Sequence, residues 1–381
     1  MGKFLTKFIA LIFSILVIAI VYLSYVGIET NKFDEIIKDE ANKFNKNIKL
    51  DFNKTKIHLN PNQLNLAVKL QDPKVIVRKG KINLTKLDLF LPLRSFISSD
   101  FILKRAEISF AKNDVTDLTK ITDLFFPLLV NKRIKKVFSK GNLEGNFVIP
   151  FEKDGSIGKD YGFSGKVSEA SINISKDFLI RDLTTEISNS KNINDDEFEI
   201  SIKKGTLNNL ELEDSVINLK RANDKIRIES FISTNGKLNF TEIRKIASLF
   251  NINISSFEGM RANINLKTNI NFNLSKKLKI KDIFYNVNGK INSLEASIEE
   301  NKTVKNFLPE YKSNLFIKDT NLKFTNSKKD HEIELDGLIK INDKFDNFKI
   351  KENYFANENK FNIDGILNLT NSKIKISKLN Y

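Results

Sequence analysis

There is no cysteine in this chain and no tryptophan, and only two histidines stand among its 381 residues. Without cysteine, disulfides, thiolate metal ligands and a thiol nucleophile are all excluded. The two histidines, His58 and His331, are far apart in sequence, and each sits inside an alternating segment. Both read as ordinary surface residues. No HExxH, GxSxG, GxxxxGK[ST] or GxGxxG occurs in a usable context. The densest acidic group, Asp195-Asp196-Glu197, falls in a polar turn and reads as solvated loop, with a calcium site as the weaker alternative. No catalytic residue, metal or cofactor is assigned, and an enzyme is not expected.

Long hydrophobic runs are also scarce, with one exception. Phe8 to Val26 carries no charge, and thirteen of its nineteen residues are Leu, Ile, Val or Phe. As a helix it would span roughly 28 Å, close to the hydrocarbon thickness of a bilayer. A cleaved signal peptide has a core of about 7–15 residues and a small-x-small site. This run is longer, and Ser24-Tyr25-Val26 is a poor cleavage site. An uncleaved transmembrane anchor is therefore expected over residues 1–27. Lys3 and Lys7 precede the run, and Glu29, Asp34 and Glu35 follow it, but so do Lys32, Lys38, Lys43 and Lys46. Long domains translocate largely regardless of such flanks, and the large domain is expected on the exported side.

The net charge is +15 and the isoelectric point near 9.5, which raises nucleic acid or an anionic membrane surface as partners. The lysines are dispersed on the polar side of alternating segments and no recognition motif accompanies them. They read as a solvated face, and nucleic acid is not expected. Asn-x-Ser/Thr triplets such as Asn53-Lys54-Thr55 carry no weight in a chain so rich in Asn and Lys.

Phe33 to Phe44 places Phe33, Ile36, Ile37, Ala41 and Phe44 at helical spacing, so residues 28–46 are expected to hold an amphipathic connecting helix. From there to residue 381 the apolar period is two, in many short segments, and one domain over 47–381 is expected. Residues 115–138 are a helical insert that Pro127 should divide. Its basic second half reads as a solvated cap, with a membrane-surface contact as the alternative. Thr241 to Phe250 is a further short helix with Thr241 as its N-cap. Gly145, Gly165, Gly289, Gly337 and Gly365 each share the face of flanking apolar residues, as at bends, bulges or close backbone approaches.

Roughly twenty strand-like segments are too many for an ordinary open sheet, which seldom exceeds about ten. The expectation is mainly β: an N-terminal transmembrane helix, then an elongated, curled antiparallel β-sheet, groove-like, with a few short helices. Leu64, Leu66, Val68, Leu70, Leu87, Leu89, Leu91, Ile270, Phe272 and Leu274 keep a strict period of two. They are expected to line the inner face and contact acyl chains, or else to pack as plain core.

The order of anchor, short helix and PNQLNLAVKLQDPKVIVRKGKINLTKLDLFLPLRSFISSDFILKRAEISF, with its leucine-rich run LDLFLPLRSF before ILKRAEI, resembles the start of AsmA-like proteins, the wider group that includes TamB and YhdP. The resemblance is most specific over residues 1 to about 112 and continues loosely in the glycine-bearing strands. It implies an inner-membrane anchor with a curled sheet in the periplasm of a Gram-negative bacterium, a part in outer-membrane biogenesis, and phospholipid carried along a hydrophobic groove. Membrane lipids, the inner membrane and other envelope proteins are the partners it implies. Family members are usually much longer, so a partner could be needed to cross the periplasm. The rival reading is an assembly factor or scaffold for outer-membrane proteins that presents strand edges. A closed interior packed by its own side chains would favour that rival. A polysaccharide-binding domain is weakened by the lack of tryptophan.

Overall fold

The computed structural model describes residues 2–44, 46–77, 80–97, 102–119, 136–156, 158, 160–189, 197–222, 225–249, 252–275, 279–298, 306, 313–327, 330–341 and 344–372. Most of the 115–138 insert, including Pro127, lies outside the described residues; of it, helix α4 (Val115–Thr119) is seen. The fold is mainly β, with nineteen strands in an open antiparallel sheet and few helices. The chain divides into two compact units, Met1–Asn173 with Glu186–Asp196, and Ile174–Thr185 with Glu197–Tyr381.

The first unit begins with helix α1 (Gly2–Tyr25). Among the described residues no helix is long and apolar enough to cross a membrane. The continuous run of described side chains in α1 is Ala10–Tyr25, about 24 Å of helix against a hydrocarbon core of about 30 Å. The expected nineteen-residue span is thus corrected to a helix that ends at Tyr25, with the span itself not shown. Its apolar side chains, Leu11, Ile12, Phe13, Ile15, Leu16 and Ile18 among them, are exposed.

The helix stops at Gly27, whose φ of 75° is costly for any residue with a Cβ. The Val26 and Gly27 amides both donate to the Tyr22 carbonyl, at 2.8 and 3.0 Å. A Cβ on Gly27 would also lie 2.7 Å from the Ile57 carbonyl oxygen. Strand β1 (Ile28–Thr30) starts at once and pairs with β3 (Lys54–Asn60). His58 on β3 has its Nδ1 3.4 Å from the Ser24 carbonyl oxygen, one of the carbonyls the helix end leaves without a partner. His58 is therefore a docking residue for α1, where sequence reading had it as an ordinary surface residue.

Helix α2 (Asp34–Phe44) follows, with Asp34 bonded to the buried Thr55 hydroxyl. It buries Phe33 and Ile37 against the sheet, as its apolar spacing requires. Strands β4 (Asn65–Gln71), β6 (Gly80–Pro92), β7 (Arg105–Asp114), β8 (Phe138–Pro150) and β9 (Gly162–Asn173) extend the β1–β3 ladder. The first half of β6 instead pairs with β5 (Lys74–Val77), which pairs with β2 (Ile48–Asp51). Leucines of β4 and β6, Leu50 of β2, Val77 of β5 and the α2 face make one buried cluster.

Strand β10 (Leu179–Asn189) is divided between the units. The second unit is then a meander of hairpins: β11 (Glu197–Leu207), β12 (Leu210–Ala222), β13 (Lys225–Leu238), β14 (Phe257–Ser275), β15 (Ile280–Ile298), β16 (Asn314–Ser327), β17 (Asp330–Lys340), β18 (Phe345–Phe355) and β19 (Lys360–Asn368). Its helix, α5 (Phe240–Leu249), lies between β13 and β14 in sequence, with α3 (Arg94–Ile97) belonging to the first unit. Its cap is Asn239, not Thr241. The Glu242 amide donates to Asn239 Oδ1 at 3.1 Å and the Asn239 amide to Glu242 Oε2 at 2.9 Å, a reciprocal capping box. The pair spans three residues and was legible in the sequence, but Thr241 competed for the role.

Two outcomes follow. Leu91, fully buried in the first cluster, should cost about 2–5 kcal/mol as Leu91→Ala, read by equilibrium denaturation. Burial, the largest influence on His58, holds its imidazole below the ordinary value of 6.5. The folded chain then binds this proton less readily than the unfolded chain, so the stability it contributes is complete above about pH 6.5 and declines as the pH falls below it. His58→Gln should flatten that decline in urea midpoints measured between about pH 7.5 and 5.5.

Candidate apolar site

The expected lining residues fall in both units. Leu66, Val68 and Leu70 on β4 and Leu87, Leu89 and Leu91 on β6 are buried in the first unit's core. Leu66 lies opposite Leu91, and Val68 opposite Leu89, and Ile37 of α2 is buried in the same cluster. These six contact protein. Leu64 departs from the expectation altogether: it precedes β4 in a turn, at φ 47° and 68% exposed. The alternation that seemed to include it is one residue too long, because the chain reverses there.

Ile270, Phe272 and Leu274 lie on β14 in the second unit and are half-buried. Register extends their face across the meander in rows. One row runs Ser230, Ile270, Tyr285, Asn326, His331, Tyr354, Phe361 over β13 to β19. The next runs Ile232, Thr268, Val287, Phe324, Ile333, Glu352, Ile363. A third holds Leu266, Gly289, Leu322, Leu335 and Ile350. Toward α5 the face is closed, because Ile243 and Ile246 pack on Leu238, Ala262, Ile264 and Ile291. Toward β19 it is open: Phe361 is 55% and Ile363 66% exposed.

Four rings are in contact in succession toward that opening. His331 lies 5.8 Å from Phe324 and 5.0 Å from Tyr354, which lies 4.6 Å from Phe361. Tyr285 meets Phe324 at 5.4 Å, and burial raises its phenol above the ordinary value. His331 is thus an inner-face residue, not a surface one, with its Nε2 3.5 Å from Glu352. The amide oxygen of Asn326, opposite it, is buried with no hydrogen-bond partner among the described residues. Nothing in the local pattern separated His331 from an outward residue, since the strand is alternating on both sides of it.

Strand phase was the signal that sequence reading missed. Asp214, Asp282 and Asp319 take left-handed backbone at register shifts in β12, β15 and β16. Each bulge adds a residue, and the apolar set changes parity with it: Leu315 and Ile317 before Asp319, Leu322 and Phe324 after. Asp is among the few residues that enter this region at low cost. The glycines serve close approach at most of their positions. A Cβ on Gly289 would lie 2.8 Å from the Leu266 Cα, and one on Gly337 2.6 Å from the Thr320 Cα, but at Gly365 nothing is nearer than 3.9 Å.

The opposite face is ionic. Lys351 sits 2.9 Å from Glu332 and 3.0 Å from Glu334, and the Lys351 hydrogen bond holds the Glu334 carboxyl below its usual range. Of the acidic turn, Asp195 and Asp196 lie outside the described residues, while Glu197 pairs with Lys220 at 2.6 Å. Among the described residues no group of three His, Asp or Glu could hold a metal ion.

A single charge should separate the two sets. Leu89→Asp would bury a carboxylate without a partner and should abolish cooperative unfolding. Phe272→Asp, at a half-buried position, should cost roughly 1–3 kcal/mol and leave the chain folded, both read by circular dichroism of the full chain in detergent. Comparison with family models, curated proteins and solved structures returned no match.

Proposed function

We propose that this chain is a membrane-anchored, AsmA-like protein that carries phospholipid acyl chains along the apolar face of its second unit, in the periplasm of a Gram-negative bacterium. The observation that carries the reading is that face itself, largely apolar and aromatic in its rows, half-buried at Ile270, Phe272 and Leu274, buried at Val287 and Phe324, and open toward β19. From β13 to β19 there are six interstrand spacings, about 29 Å at about 4.8 Å each. That is roughly twice the depth of one leaflet's acyl chains. Exposing an acyl chain to water costs about 0.8 kcal/mol per methylene, so a carrier needs a continuous lining and few polar contacts. Such a surface discriminates little among lipids.

The anchor belongs to the same proposal. Ala10–Tyr25 alone is short of a bilayer, but the uncharged run begins at Phe8 and ends at Val26, within the 17–25 residues that spanning helices use. Among the described side chains of that run, most of the apolar ones are exposed. The first unit's five buried leucines and Val68 then serve as the rigid base of the anchor, and the carrying surface is assigned to Ile270, Phe272, Leu274 and their rows.

The rival, a scaffold for outer-membrane proteins, has two observations in its favour, the first being that six of the expected lining residues are sealed in the first unit's core. The second is that every residue of β19 is exposed, and β19 pairs only with β18 among the described residues. Photo-crosslinkers placed in membranes at Ile270, Phe272 and Leu274 should trap lipid, and those at Asn271 and Lys267 should not. Equal lipid trapping on both faces, or protein adducts alone from Phe361 and Ile363, would sink the carrier reading.

A further inference from the structure

Where α1 ends, the sheet presents two lysines that face each other. Lys56 on β3 is the direct cross-strand neighbour of Lys69 on β4. Like charges so placed repel, and neither forms an ion pair within 4.0 Å among the described residues. The carboxylates at the two ends of their row are already engaged. Glu29, opposite Lys56, holds Lys54 at 2.9 Å. Asp88, opposite Lys69, holds Lys86 at 3.3 Å. Lys56 stands two residues before His58 on the same strand, hence on the face where His58 meets the Ser24 carbonyl of α1. Tyr22 and Tyr25, in the last turn of α1, are exposed, Tyr25 to 84%.

We infer that Lys56 and Lys69 form a seat for the phosphate layer of an anionic bilayer, which the α1 docking contacts hold at headgroup depth. The order of features matches a membrane interface: a helix with exposed apolar side chains, then tyrosine rings, then cations. Glu29 and Asp88 flank the pair from its two ends, each held by a nearer lysine, and a phosphate between the two ammonium groups would offset the repulsion that remains. The inference rests on the membrane reading of α1 and adds the class of lipid and the residues that meet it.

The test is flotation of the full-length chain, dispersed in detergent and diluted onto vesicles of phosphatidylcholine alone or with phosphatidylglycerol. The wild type should prefer the anionic vesicles, about 30-fold of that preference coming from two lysines at low salt, and less in high salt. Lys56→Gln with Lys69→Gln should lose this share while floating on neutral vesicles as before. Lys56→Arg with Lys69→Arg should keep it. If the glutamine variant retains the full preference, the seat is wrong and the anchor stands. If the wild type floats on neither vesicle, the membrane reading falls and the seat with it. Saturable binding of inorganic phosphate by the detergent-dispersed chain, lost in the glutamine variant, would assign the pair to free phosphate and overturn the bilayer as its source.

Discussion

The antiparallel hydrogen-bond ladder is the constraint on which the rest depends. It fixes side chains to alternate faces, so a one-residue slip would carry a strand's whole apolar set to the opposite face. The chain nevertheless bends its strands with bulges, each of which introduces such a slip. It avoids the consequence by changing phase in sequence at the same place, as at Asp214, where Leu210 and Leu212 give way to Ile217 and Leu219. Backbone curvature and a single apolar face are then compatible.

One face does not mean one environment. In the first unit the α2 face and the leucines of β4 and β6 belong to one buried cluster, to which a short sheet of β2, β5 and the start of β6 adds. In the second, α5 covers one end of a longer face. Beyond its reach the same alternation runs from buried Val287 and Phe324 to exposed Phe361 and Ile363, with a histidine and tyrosines in ring contact with phenylalanines. The difference lies in what is placed over the face, not in the strands.

The junction of helix and sheet is equally specific. Only Val26 and Gly27 separate α1 from β1, and Gly27, His58 and the β1–β3 pairing together fix where the helix leaves the first unit. A cross-strand pair of lysines at that point is locally unfavourable, and local rules are most often broken where a protein meets something else.

By itself the sequence determined the class and the faces. Period-two alternation dictates strands, helical spacing dictates α2, and their short-range physics depends only on neighbouring residues. It also determined that α1 would be helical and apolar, though not that its described run would fall short of a span. Leu64 and the true cap Asn239 were one or two residues from where the pattern put them, because turns and caps are set by backbone angles that alternation does not encode. Which leucines would be sealed and which left open was decided only by tertiary structure. Leu89 and Phe272 carry the same local signature, but the first is sealed in the first unit's cluster and the second is half-buried. Burial is a property of distant segments brought together, and a strand's own residues hold no record of them.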